Sequence, residues 1–148
     1  MSRTLVISCG VVCAGVLAGC GGSHPVPDVA RGFLYRYGNG EAFIQWHRHG
    51  RKVHGTISET TIACCTPIPA RIIEGTHTVK GTISGSNVLL HLSTGVRWNG
   101  SLRSYGLLIR SEFPSGTPLG IRYRRASGAD YNAAVAETKA AFQRQKNG

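Results

Sequence analysis

Residues 53–58, Val53-His54-Gly55-Thr56-Ile57-Ser58, recur as residues 79–84, Val79-Lys80-Gly81-Thr82-Ile83-Ser84. In both copies the first, third and fifth residues are apolar, glycine and apolar, and alternate residues of a strand share one face. The period is two, which predicts two strands with one face in a core and the other in water. A glycine in the middle of the buried face lets a neighbouring backbone or ring come close and eases curvature. A looser echo follows in Trp98-Asn99-Gly100-Ser101-Leu102. The recurrence reads as the grammar of a glycine-rich β protein rather than as a repeated functional unit.

The same texture extends in both directions from Gly32 onward, as short alternating runs broken by Gly, Asn, Ser and Pro. Strands are expected near 32–37, 41–49, 52–62, 70–84, 87–93, 96–102, 105–111 and 117–125. Between them lie Gly38-Asn39-Gly40, Gly85-Ser86-Asn87, Ser93-Thr94-Gly95 and Pro114-Ser115-Gly116. These residues tolerate or pre-set the backbone angles that hairpin loops require. The spacing predicts a mainly β domain over 32–126, an antiparallel meander of about eight strands packed as a small barrel or a sandwich. Ser127 then opens a helix over 127–148, with Asp130 three residues on as its capping partner. Tyr131, Ala134, Val135, Thr138 and Phe142 fall on one face of that helix. The stripe is narrow and rich in alanine, so the helix is expected against the sheet or over a barrel mouth.

At the other end of the chain, Arg3 precedes the uncharged run 4–19, which is interrupted by glycines and too short to span a bilayer as a helix. The run ends in Leu17-Ala18-Gly19-Cys20. This tetrad resembles the lipobox of bacterial lipoproteins. The resemblance implies that residues 1–19 are a signal peptide, that Cys20 receives palmitate-type acyl chains, and that the mature protein is held to the outer side of the cell membrane. Residues 20–31 then form the lipidated cysteine and a flexible tether, in which Gly, Ser and two prolines set the stiffness. The segment Ala129-Asp130-Tyr131-Asn132-Ala133-Ala134-Val135 and the Gly-Thr-Ile strand pattern are loosely similar to exported actinobacterial β-rich proteins of unknown activity. That likeness implies an origin and a fold and supplies no catalytic residue.

The 148 residues suit one domain, and removal of 1–19 leaves 129. The chain carries 17 Lys+Arg against 7 Asp+Glu, a net charge of +10; since only Arg3 lies in the leader, the mature chain keeps +9. Such an excess speaks to partners rather than to fold. Anionic lipid and phosphate-bearing wall polymers are the partners expected, while an exported compartment disfavours nucleic acid. Arg97, Arg122, Arg124 and Arg125 lie beside rings at Trp98 and Tyr123 and are the candidate contacts to an anionic partner.

Other chemistry is sparse. If His49-Gly50-Arg51-Lys52 is a two-residue hairpin, His47 lies opposite His54, and His47, His49 and His54 share one face. Three imidazoles on a face are the sequence's one pattern for zinc or copper, although no strand aspartate is available to orient them. His77 and His91 read as surface residues. Cys64 and Cys65 are adjacent in Cys64-Cys65-Thr66-Pro67-Ile68-Pro69, a proline-stiffened loop tip where a vicinal disulfide is the candidate feature. The acids Asp28, Glu41, Glu59, Glu74, Glu112, Asp130 and Glu137 form no local pair, and no nucleophile elbow, phosphate loop or cofactor motif appears. The expected function is therefore a non-catalytic envelope binding module with a basic surface. The alternatives are a carrier of a small apolar ligand in a lipocalin-like barrel and a surface histidine metal module.

Overall fold

The computed structural model describes residues 26–28, 30–65, 68–112 and 118–147, without the side chains at 64, 65, 68, 111, 112, 118 and 119. The leader, Cys20 and the first part of the tether lie outside these residues, as do Phe113 and the Pro114-Ser115-Gly116 turn. Eight strands follow in order: β1 (Arg31–Tyr37), β2 (Gly40–His49), β3 (Lys52–Cys65), β4 (Ile68–Ser84), β5 (Asn87–Leu92), β6 (Arg97–Arg103), β7 (Gly106–Glu112) and β8 (Pro118–Ser127). Each pairs antiparallel with the next, and β8 returns to β1. The meander is a closed barrel.

The repeated segments explain the closure. They lie on β3 and β4 and are each other's partners, with Val53 opposite Gly81 and Gly55 opposite Val79. A side chain on one strand thus fills the space its partner leaves open. On their other edges Trp46 faces Gly55, and Leu90 faces Gly81. The neighbouring backbones approach closely at these glycines: a Cβ at Gly55 would stand 1.9 Å from the Gln45 carbonyl oxygen, and one at Gly81 would stand 2.0 Å from that of Leu89. Ile44, Ile57, Val79, Ile83, Leu90, Leu107 and Ile109 fill the centre and are essentially inaccessible to water. Trp46 and Trp98 pack partly buried against this core, as their strand phase implies.

Helix α1 (Gly128–Asn147) lies along the outside of the barrel wall rather than over a mouth. Ser127 and Asp130 form its cap reciprocally: the Ser127 N–H donates to the Asp130 carboxylate at 2.7 Å, and the Asp130 N–H donates to Ser127 Oγ at 3.2 Å. The outward faces of β1 and β2 supply Leu34 and Phe43, which the helix covers with Tyr131 in a second core. The Phe43 and Tyr131 rings stack with centroids 5.6 Å apart. Glu41, on the same face, is buried beneath the helix and accepts a hydrogen bond from Thr138 Oγ1 at 2.8 Å.

Three local expectations change. The tether is not free through residue 31. Val26 is buried in the second core, its carbonyl accepts from Asn132 Nδ2 at 2.7 Å, and Gly128 N–H donates to the Ala30 carbonyl at 2.8 Å. Among the described residues, 26–28 and Ala30 form a docked strap rather than a free spacer. The Cys64-Cys65 segment is not a loop tip: β3 runs to Cys65, which pairs with Ile68, with a register shift after Ala63. Pro69, which lacks an N–H, falls within that irregularity, where a ladder bond is dispensable. Finally, Gly50, Gly85 and Gly95 use positive φ in their turns, whereas Gly38 and Asn39 do not. There the turn is held by Asn39, whose carbonyl accepts from Ile62 N–H and whose amide donates to the Ile62 carbonyl.

Candidate functional site

The meander sorts charge-bearing residues onto two ends and one wall. One end carries the 50–51, 85–86 and 104–105 turns and the start of β1 and α1; call it the basal end. The opposite, apical end carries the 38–39 and 93–96 turns and the long β3–β4 hairpin.

At the basal end Arg31 opens β1, Arg48 and His49 close β2, and Arg51 and Lys52 follow in the turn and at the start of β3. Arg103 closes β6, and Arg124 and Arg125 stand near the end of β8. All are exposed. Tyr105, in the adjacent turn, is 43% exposed, and the Arg122 guanidinium lies 5.8 Å from its ring centroid. A groove of about 570 Å³ opens here between Arg31, Phe33, Trp46 and Arg125. Arg125 stands over the Phe33 ring, which packs on Trp46 at 5.0 Å. The acids at this end, Asp28 and Asp130, are engaged by Asn132 and by the Ser127 cap. The Ser127 N–H and, second, the Ser127 hydroxyl each donate to the Asp130 carboxylate at 2.7 Å and hold it below the usual range.

The four arginines expected to act together are therefore divided. Arg122 and Arg124 point outward from β8, opposite Leu108 and Gly106, and Arg125 points to the basal mouth. Arg97 stands at the start of β6 near the apical end. It belongs instead to a row that the register draws across five strands: His47 opposite His54, His54 opposite Lys80, Lys80 opposite His91, and His91 opposite Arg97. All five are exposed on the wall away from α1. His47, His49 and His54 share that outer face, but among the described residues no three His, Cys, Asp or Glu side chains gather closely enough to hold a metal.

Acids occupy the opposite side. Glu41, Glu74 and Glu137 line or underlie α1, where Glu137 pairs with Arg36 and Glu74 with Lys139, each at 2.8 Å. Glu112 closes β7, its side chain outside the described set.

Among the acids whose side chains are described, Glu59 alone faces the barrel interior, near the apical mouth. It is in phase with Val53 and Ile57 and sits in the row Tyr35, Ala42, Glu59, Gly75. One position nearer the mouth, Tyr37 and Thr61 share a hydrogen bond. One position deeper, His77 lies opposite Ile57 with its ring on the lumen side, so it is not the surface residue expected. The Tyr35 ring stands 5.4 Å from those of Tyr37 and Tyr123. Burial raises the Glu59 carboxyl above its ordinary range while His77 pulls the other way; burial also raises Tyr37 and Tyr123. Sequence reading set Glu59 aside for want of a neighbouring acid. Its phase with the core positions of β3 was the available signal.

Comparison of the chain with protein-family models, curated proteins and solved structures returned no match.

Proposed function

We infer that the protein is a non-catalytic envelope lipoprotein, anchored through lipid on Cys20, whose basal end rests on anionic lipid headgroups. The observation that carries this reading is where the chain docks. Val26 is already packed beside the start of α1, so residues 21–25 alone separate the anchor from the folded body. Five residues reach at most about 18 Å. The body is thereby held with its arginine-rich end nearest the bilayer, where each Lys or Arg contributes about 1 kcal/mol toward an anionic surface. Exposed Tyr105 suits the headgroup level, being apolar at one end and polar at the other. The side chains that fill the barrel centre favour this reading over carriage of an apolar ligand through the interior.

The test is vesicle flotation of the Cys20→Ser protein beginning at residue 20, so that lipid on the cysteine contributes nothing. Binding to phosphatidylglycerol-containing vesicles is expected at low salt and is lost at high salt. Arg31→Glu, Arg103→Glu and Arg124→Glu combined should weaken it by at least about tenfold, since reversing three near-surface charges removes several kcal/mol. Equal retention on zwitterionic vesicles, indifferent to salt, would contradict the proposal.

A further inference from the structure

We propose that the apical mouth is a binding site for a small organic ammonium ion, with the Glu59 carboxylate as its counter-charge and Tyr35, Tyr37 and Tyr123 as its aromatic walls. Three features converge on that chemistry.

The first is an uncompensated charge. Glu59 points into the interior of a strongly basic protein, and among the described side chains no hydrogen bond or ion pair reaches its carboxylate. The side chain is half-buried, so its charge is incompletely solvated and has no protein partner among the described side chains. A ligand cation supplies the missing charge. His77 lies near enough to influence Glu59 electrostatically but makes no ion pair with it.

The second is room. The residues on either side of Glu59 in its row are Ala42 and Gly75. A Cβ at Gly75 would meet nothing nearer than His77 Nε2 at 3.6 Å, in contrast to the crowded glycines of the barrel centre. Tyr35, Tyr37, Glu59 and His77 all remain partly accessible. An eight-stranded barrel has an interior just wide enough for side chains or one small ligand, and among the described residues the carboxylate is flanked by the two small residues Ala42 and Gly75.

The third is the walls. Tyr35 has a tyrosine ring 5.4 Å away on each side, and the Tyr37 hydroxyl is held by Thr61. Aromatic faces combined with a carboxylate attract an alkylammonium ion through its spread positive charge. β1 and β8 are paired as far as Leu34 and Arg124, so Tyr35 and Tyr123 stand just beyond the last paired residues on the apical side.

The site does not depend on membrane docking, since it opens at the opposite end. Its test is calorimetric titration of the detergent-solubilised mature protein with choline chloride, against dimethylbutanol, the uncharged isostere, at matched ionic strength. Choline is expected to bind saturably and at least tenfold more tightly than the alcohol, a difference of about 1.4 kcal/mol. Glu59→Gln should abolish that preference without lowering the melting temperature, because a buried charge is removed. Gly75→Val, which fills the space without touching the charge, should weaken choline binding by a similar factor. The proposal is overturned if the intact protein binds choline no better than the alcohol, or if both variants retain the preference.

Discussion

At the scale of single residues, Glu41 is the most instructive side chain. It is wholly buried under α1; one carboxylate oxygen accepts from Thr138 and the other has no partner. Burial raises its pKa, with the Thr138 hydrogen bond and the nearby Arg36 opposing that rise. The folded protein therefore holds a proton on Glu41 more tightly than the unfolded chain does. The resulting stability is complete below the ordinary carboxylate range and is lost as pH rises through the folded value. Glu59 shifts in the same direction. Asp130 shifts in the other, so its contribution is present above the usual aspartate range and fades as pH falls through its folded value. Melting followed by calorimetry from neutrality downward should thus rise first and decline only below about pH 4. Glu41→Gln should flatten the rising part and add about 1 kcal/mol at neutral pH, raising Tm by ~3 °C. A Tm that falls steadily from neutrality in the parent protein would contradict this.

At the scale of elements, much was legible in the sequence and the reasons are specific. The β3 and β4 cores were marked by the Val-x-Gly-x-Ile phase, and the helix by Ser127 and Asp130, because these patterns depend on local backbone geometry alone. The hairpin at Gly50-Arg51 placed His47 opposite His54, as the register has it. What remained hidden depends on partners distant in sequence. Nothing within residues 26–30 announces Asn132 or Gly128, so a docked strap reads as a spacer. Barrel and sandwich share the same strand pattern, and only the β8–β1 pairing separates them. Two predictions belong at this scale. Gly81→Val should cost about 2–3 kcal/mol or more, since its side chain would meet the Leu89 backbone, whereas Gly75→Ala should be tolerated; chemical denaturation distinguishes them. Ser127→Ala should cost about 1 kcal/mol by loss of the helix cap, read in the same assay.

Across the whole molecule, the fold converts an excess of arginine into direction. Glu41, Glu74 and Glu137 lie along α1 and Glu59 inside the apical mouth, while cations crowd the basal end and the wall away from the helix. The cations beside α1 include Arg36 and Lys139, paired with Glu137 and Glu74, and Arg144 and Lys146 in its last turn. Charge count was visible in composition, but its polarity was not, because it arises only when eight strands close. The strap then fixes which end the anchor would hold. The most direct measurement of that orientation uses the lipidated protein with Cys64→Ser and Cys65→Ser, labelled with a fluorophore at Ser104→Cys or at Thr94→Cys. On anionic vesicles containing a nitroxide-bearing lipid, the label at 104 should be strongly quenched and the label at 94 scarcely at all. Equal quenching at both positions, or stronger quenching at 94, would show that the basal end does not face the bilayer.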